Sequence, residues 1–227
     1  MKKKILGFLK IFFLCAAVMF LVWPVYFVIL YKYVPVYVTP LMVQRFFEGG
    51  SFETPEKTWV SFEEISPQMY RAVISSEDNL FLKHGGFSVD NIKKAVEDHK
   101  KGKKLRGGST ISQQCAKNVF WFHSRSYLRK VHEAYLTVLI EAFWGKKRIM
   151  EVYLNVIETG SNVYGVEAAS QKYFKTNAKK LNQNQCALIA SCLPNPRIYH
   201  IDKPSAYIKS RQEKILGLMP KMGKLEF

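Results

Sequence analysis

The chain has 227 residues, 48% of them hydrophobic, and carries 34 Lys and Arg against 18 Asp and Glu, a formal net charge of +16. At about 150 residues per domain this is one folded domain with an accessory segment, and 13 Gly with 9 Pro exclude a fibrous or disordered chain. Its four Cys show no CxxC spacing, so Cys115, Cys186 and Cys192 read as small core residues, not as a metal site or a disulfide framework.

The first element is Ile11 to Tyr31, which contains no charged residue. At 1.5 Å per residue its length is roughly 30 Å, the thickness of a bilayer core. It is longer than a signal-peptide apolar region and no small-x-small site follows it, so residues 11–31 read as an uncleaved transmembrane helix after a tail at 1–10. Lys2, Lys3, Lys4 and Lys10 precede it, which places the tail in the cytoplasm and the rest of the chain outside. Beyond the span 30 basic residues face 18 acidic ones, +12, so anionic partners such as lipid headgroups and pyrophosphates are favoured. Nucleic acid is not expected, because no finger, RRM or basic-zipper pattern is present. Residues 32–60 form a membrane-proximal segment, apolar and aromatic at Val36, Tyr37, Leu41, Phe46 and Phe47 and closed by Gly49-Gly50.

Residues 61–227 read as one mostly α domain. Ser66-Pro67 caps a helix ending near Glu77. Ser88 caps a second, with Ile92, Ala95, Val96 and His99 at helical spacing and Gly102 at its end. Gly107-Gly108-Ser109 opens a third, on which Ile111, Cys115 and Val119 recur every four residues. The longest pattern, 126–144, places Leu128, Val131, Tyr135, Leu139 and Ala142 on one stripe. Further helices are expected at 147–158, 165–174, 183–193 and 204–219. Strand signals are scarce.

Several polar residues are not explained by packing. Glu77 and Asp78 close a helix whose dipole opposes them, with His84 and a Gly turn just beyond. The bland reading is a solvated acidic turn with His84 tethering a loop. Gly107-Gly108 before a helix leaves backbone N–H groups beside the positive end of the dipole, an anion site. Thr110, Gln114 and Lys117 then share one face; an ordinary capped amphipathic helix fits this pattern equally. Arg129 and Lys130 precede Glu133 by four and three residues, either a surface ion pair or a second carboxylate held among cations. Two carboxylates on different helices around a donor-rich groove suit glycosyl-bond chemistry.

Four strings occur in order: Glu77-Asp78-x-x-Phe81-x-x-His84-x-Gly86-Phe87; Gly107-Gly108-Ser109-Thr110-Ile111-Ser112-Gln113-Gln114-x-x-Lys117-Asn118; Arg129-Lys130-x-x-Glu133; and Lys146-x-x-Ile149-x-x-x-Tyr153-Leu154-Asn155. Together with Gly165-Val166-Glu167-Ala168-Ala169-Ser170-Gln171 and Leu193-Pro194-Asn195-Pro196, the chain resembles the peptidoglycan glycosyltransferases that polymerise lipid II, in their monofunctional branch. The resemblance runs from about Val36 to His200. It implies a lysozyme-like helical glycosyltransferase domain in which Glu77 is the general base for the acceptor hydroxyl. Glu133 would assist the leaving pyrophosphate, directly or through a divalent cation such as Mg or Mn. Lys117, Arg129 and Lys130 would hold the pyrophosphate, while His84, Ser109, Gln114 and Asn118 would line the sugar subsites. The implied partners are lipid II, the growing glycan chain, the membrane and other cell-wall synthesis proteins. Ser112 stands where the family usually has Thr, and Ser88 where it has Asp, with Asp90 as a substitute. No penicillin-binding domain is expected to follow. A lytic hydrolase of the same fold and an inert glycan binder are the alternative classes.

Overall fold

The computed structural model describes residues 2–48, 53–88, 93, 108–122, 124 and 126–227. Two compact units emerge, Met1–Val34 and Pro35–Phe227. The first is a single helix, α1 (Lys2–Tyr33), whose stretch Ile5–Tyr33 is long and apolar enough to cross a bilayer. It extends beyond the apolar run at both ends; Lys is a good helix former, and the single Gly7 weakens the N-terminal extension without ending it.

The second unit is built from α2 (Pro40–Glu48), α3 (Pro67–Glu77), α4 (Ile111–Phe120), α5 (Tyr127–Val156), α6 (Val166–Phe174), α7 (Gln183–Cys192) and α8 (Ala206–Leu218). Local chemistry sets their ends. Ser66 accepts from the Gln68 N–H at the start of α3, with Pro67 at the first helical position. Thr110 and Gln113 cap α4 reciprocally, and Asn182 and Gln185 do the same for α7. α8 starts at a Ser205 cap, one residue beyond Pro204. Within α5, Gly145 at φ 72° interrupts the helix, matching the break expected between 144 and 147.

Helix α4 packs mainly on α5, and α3 on α7 and α8. The core between them holds Met69, Val73, Ile111, Cys115, Ile140, Ile149, Leu154 and Ile189, all essentially without solvent contact. Cys115, Cys186 and Cys192 are buried free thiols, as expected of small core residues.

One stripe was misassigned by periodicity. Leu128 and Val131 are 65% and 69% exposed, and the face of α5 that enters the core is instead His132, Glu133, Leu136, Thr137, Ile140 and Trp144. Three short strands, β1 (Glu56–Lys57), β2 (Glu158–Gly160) and β3 (Val163–Tyr164), form a sheet in the order β1-β3-β2, with β1 parallel and β2 antiparallel to β3. Strands of two or three residues leave no alternation to read. The helix expected from Ser88 to Gly102 and the basic run from Lys100 to Arg106 lie outside the described residues, apart from Ser88 and Lys93.

Candidate active site

Two adjacent carboxylates at the end of α3 have different surroundings. Asp78 is buried and saturated: its carboxylate receives His84 Nε2 at 2.9 and 3.0 Å and the Ile111 N–H at 3.1 Å. The Gly86 N–H donates to His84 Nδ1 at 3.1 Å, so the ring proton resides on Nε2 and points at Asp78. Asp78 therefore ties the α3 terminus to the first turn of α4, where a carboxylate offsets the helix dipole. At that N-terminus the Ile111 N–H is taken by Asp78, and Gly107 of the expected anion site lies outside the described residues. Both ring nitrogens of His84 are engaged, so it braces this junction and does not present a free nitrogen to a sugar subsite. Gly86 sits at φ 92°, and a Cβ there would lie 2.8 Å from Thr137 Cγ2, so the turn that carries His84 needs glycine.

Glu77 is held differently. Its Oε2 accepts from Gln114 Nε2 at 3.2 Å and its Oε1 from Arg211 Nη2 at 3.3 Å, both long contacts. Burial pushes its carboxyl above the usual range; Gln114 and Arg211 pull in the other direction, and neighbouring Asp78 adds a smaller push upward. Tyr153 donates its hydroxyl to Gln114 Oε1 at 3.0 Å, which fixes the amide so that its NH2 faces Glu77. Tyr153 is in turn positioned by the core of α5, where nearby Asn155 closes on both backbone groups of Val60 at 2.9 Å.

The second carboxylate, Glu133, is 2% exposed on the inner face of α5. Arg129 Nη1 meets its Oε2 at 2.5 Å, and Lys130 Nζ meets its Oε1. Lys130 also reaches Ser109 Oγ at 3.5 Å, and Gln114 Nε2 lies 3.5 Å from the Ser109 carbonyl, so a polar chain runs from Glu77 through Gln114, Ser109 and Lys130 to Glu133. Lys117 completes the cluster from α4. It makes no ion pair within 4 Å among the described residues, its charge is felt by Glu133, Arg129, Lys130 and Glu158, and burial lowers its ammonium pKa. Asn118 is buried within α4.

Both oxygens of Glu133 are covered by cations, and among the described residues no group of three His, Cys, Asp or Glu side chains could hold a metal ion. This donor set does not fit a divalent cation.

The model of the family described as "Transglycosylase" matches residues 44–220. The chain belongs to the transglycosylase family. Curated proteins called biosynthetic peptidoglycan transglycosylase are similar to it over most of their length: one from Bdellovibrio bacteriovorus is 53% identical over 205 residues, covering 89% of this chain and 82% of the relative. Those of Bacteroides thetaiotaomicron and Caulobacter vibrioides are 53% and 52% identical, each covering 85% of this chain and 79% and 82% of the relative. In this transglycosylase the structure links Glu77, Gln114, Ser109, Lys130, Glu133 and Arg129 in one polar cluster carried by α3, α5 and the start of α4, with Lys117 coupled to it electrostatically. Arg211 escaped the sequence reading, because it lies 134 residues beyond Glu77 on α8 and nothing local distinguishes it from the surrounding basic residues. The role of Tyr153 could have been sought in its motif string, where it stands two residues before the buried Asn155.

Proposed function

We propose that the protein is a peptidoglycan glycosyltransferase that polymerises lipid II at the outer face of the cytoplasmic membrane, with Glu77 as general base. The acceptor's 4-hydroxyl oxygen attacks the anomeric carbon of the lipid-linked donor, and the hydroxyl proton passes to Glu77. The bond from that carbon to the pyrophosphate oxygen breaks on the opposite face, which inverts the centre and releases polyprenyl pyrophosphate. A base functions best when its pKa approaches ambient pH, and the burial of Glu77 moves it in that direction. Its two protein contacts are long and single, so lone pairs remain for the incoming hydroxyl.

The observation that carries the reading is Lys117 beside the Glu133 cluster. Glu133 pairs with both Arg129 and Lys130, one negative charge against two positive, and Lys117 adds a further cation without an ion-pair partner among the described residues. A leaving group with two phosphates needs such positive charge in a shielded site, whereas hydrolysis of a finished glycan does not. Glu133 keeps the cation fork of Arg129 aimed into the groove and assists departure through it. Ser109 and Gln114 face the space between the two carboxylates and serve the sugars. An apolar groove of about 720 Å³, lined by Tyr37, Met42, Val43, Phe46, Phe47 and Trp59, lies on the same unit and suits the polyprenyl tail. The lysines at the N-terminal end of α1 orient it as an anchor with the catalytic unit outside, and other cell-wall synthesis proteins are natural partners there.

Purified protein in detergent should convert labelled lipid II into polymer and leave finished glycan untouched. Shortening of finished glycan without consumption of lipid II would replace this reading with that of a hydrolase.

A further inference from the structure

We infer that Arg211 is a positioning residue for Glu77, holding one oxygen of the base from α8 while its own orientation is set by the end of α7. The inference rests on the reading of Glu77 as the base. Arg211 Nε donates to the Ser191 carbonyl at 3.1 Å, which commits one arm of the guanidinium fork to the backbone. Only Nη2 then reaches Glu77, at 3.3 Å, so the pair is single and long, unlike the 2.5 Å contact of Arg129 with Glu133. A bidentate Arg would hold the carboxylate as a tight ion pair and weaken it as a base. The Ser191 tether prevents that geometry and leaves a contact that orients.

The arrangement has two sides. Gln114, fixed by Tyr153, holds Oε2 from α4, and Arg211 holds Oε1 from α8. The carboxylate is thus held from two sides, by α4 and by α8. The charged and titratable groups acting on Glu77 are Asp78 from its own helix end and Arg211 from α8, with the Tyr153 hydroxyl of α5 behind Gln114 and the Cys192 thiol of α7 beside Arg211. Arg211 is the one cation acting on Glu77 among the described residues, and it offsets part of the effect of burial.

The test is the pH dependence of lipid II polymerisation by the full-length protein in detergent, for wild type, Arg211→Gln and Arg211→Lys, with thermal melting of each. Removing the cation leaves Glu77 protonated to higher pH. The acid limb of the Arg211→Gln rate profile should therefore move up by about half a unit to one unit, a roughly three- to ten-fold loss on that limb that narrows as pH rises. Arg211→Lys keeps the charge but cannot serve Ser191 and Glu77 together; its limb should stay in place while its plateau rate falls by about two- to five-fold. A wild-type to Arg211→Gln ratio that is constant across pH, or losses in both variants that follow melting alone, would overturn the proposal. If Arg211→Gln does not fold, an unchanged plateau in Arg211→Lys overturns it by itself. Glu77→Gln run in parallel separates the two levels: turnover retained there refutes the base, whereas an inactive Glu77→Gln with an unshifted acid limb in Arg211→Gln refutes only Arg211.

Discussion

Replacing Asp78 by Asn should cost stability before it costs chemistry. The wild-type carboxylate accepts from two donors whose protons are fixed, the Ile111 N–H at the start of α4 and the Nε2–H of His84, whose other nitrogen is occupied by Gly86. Asn offers one carbonyl oxygen and turns an NH2 towards the second donor. One buried donor then loses its partner, at about 1–3 kcal/mol, and the loss of the negative charge beside the α4 N-terminus adds roughly 0.5–1 kcal/mol. The sum, about 1.5–4 kcal/mol, corresponds to a fall in Tm of roughly 3–16 °C for a domain of this size. Thermal melting of wild type and Asp78→Asn in the same detergent, followed by far-UV circular dichroism, measures it. Per folded molecule, well below the transition, polymerisation by the variant should stay within about tenfold of wild type. A variant that melts like wild type yet has lost all turnover would refute the scaffolding role and place Asp78 in the reaction itself.

Two further outcomes follow from the charges. Lys117→Ala should leave the melting temperature within a few degrees of wild type while lowering polymerisation by roughly tenfold or more, read as initial rate on labelled lipid II, because its ammonium has no ion-pair partner among the described residues to lose. Glu77→Gln should melt at or above wild type at pH 7.5. The folded carboxyl lies above its unfolded value, so folding binds a proton and stability from this group falls as pH rises through that window; the amide abolishes the cost, and the difference should vanish below about pH 4.

Caps and spans were legible because their chemistry is local. Ser66-Pro67, the Asn182 cap and the uncharged run at Ile11–Tyr31 each declare an element within a few residues. The start of α4 was half legible: the Thr110–Gln113 capping box was there to be read, but nothing local marks Asp78, 33 residues upstream, as the acceptor of the Ile111 N–H. On α5 two apolar stripes compete. Periodicity alone favoured Leu128 and Val131, because the buried face carries His132 and Glu133, whose polarity serves the site and disguises the core. Glu77 and Glu133 were legible as candidates through their motif strings, yet their contrasting restraint was not. The tight pairing of Glu133 is set by i, i+3 and i, i+4 neighbours on one helix. The loose clamp on Glu77 comes from Gln114 and Arg211 on two other helices, and no spacing in the chain encodes that meeting.

The central claim is that a buried, loosely held carboxylate at Glu77 takes the proton from the acceptor sugar. Its most direct measurement is the initial rate of lipid II polymerisation by Glu77→Gln beside wild type, with binding of lipid II measured on the same preparations. The amide keeps the side-chain volume and an acceptor for Gln114 or Arg211, but cannot serve as the base. The account predicts a rate lower by at least roughly 10²-fold with binding within a few-fold of wild type. A Glu77→Gln enzyme that polymerises at a substantial fraction of the wild-type rate would contradict it.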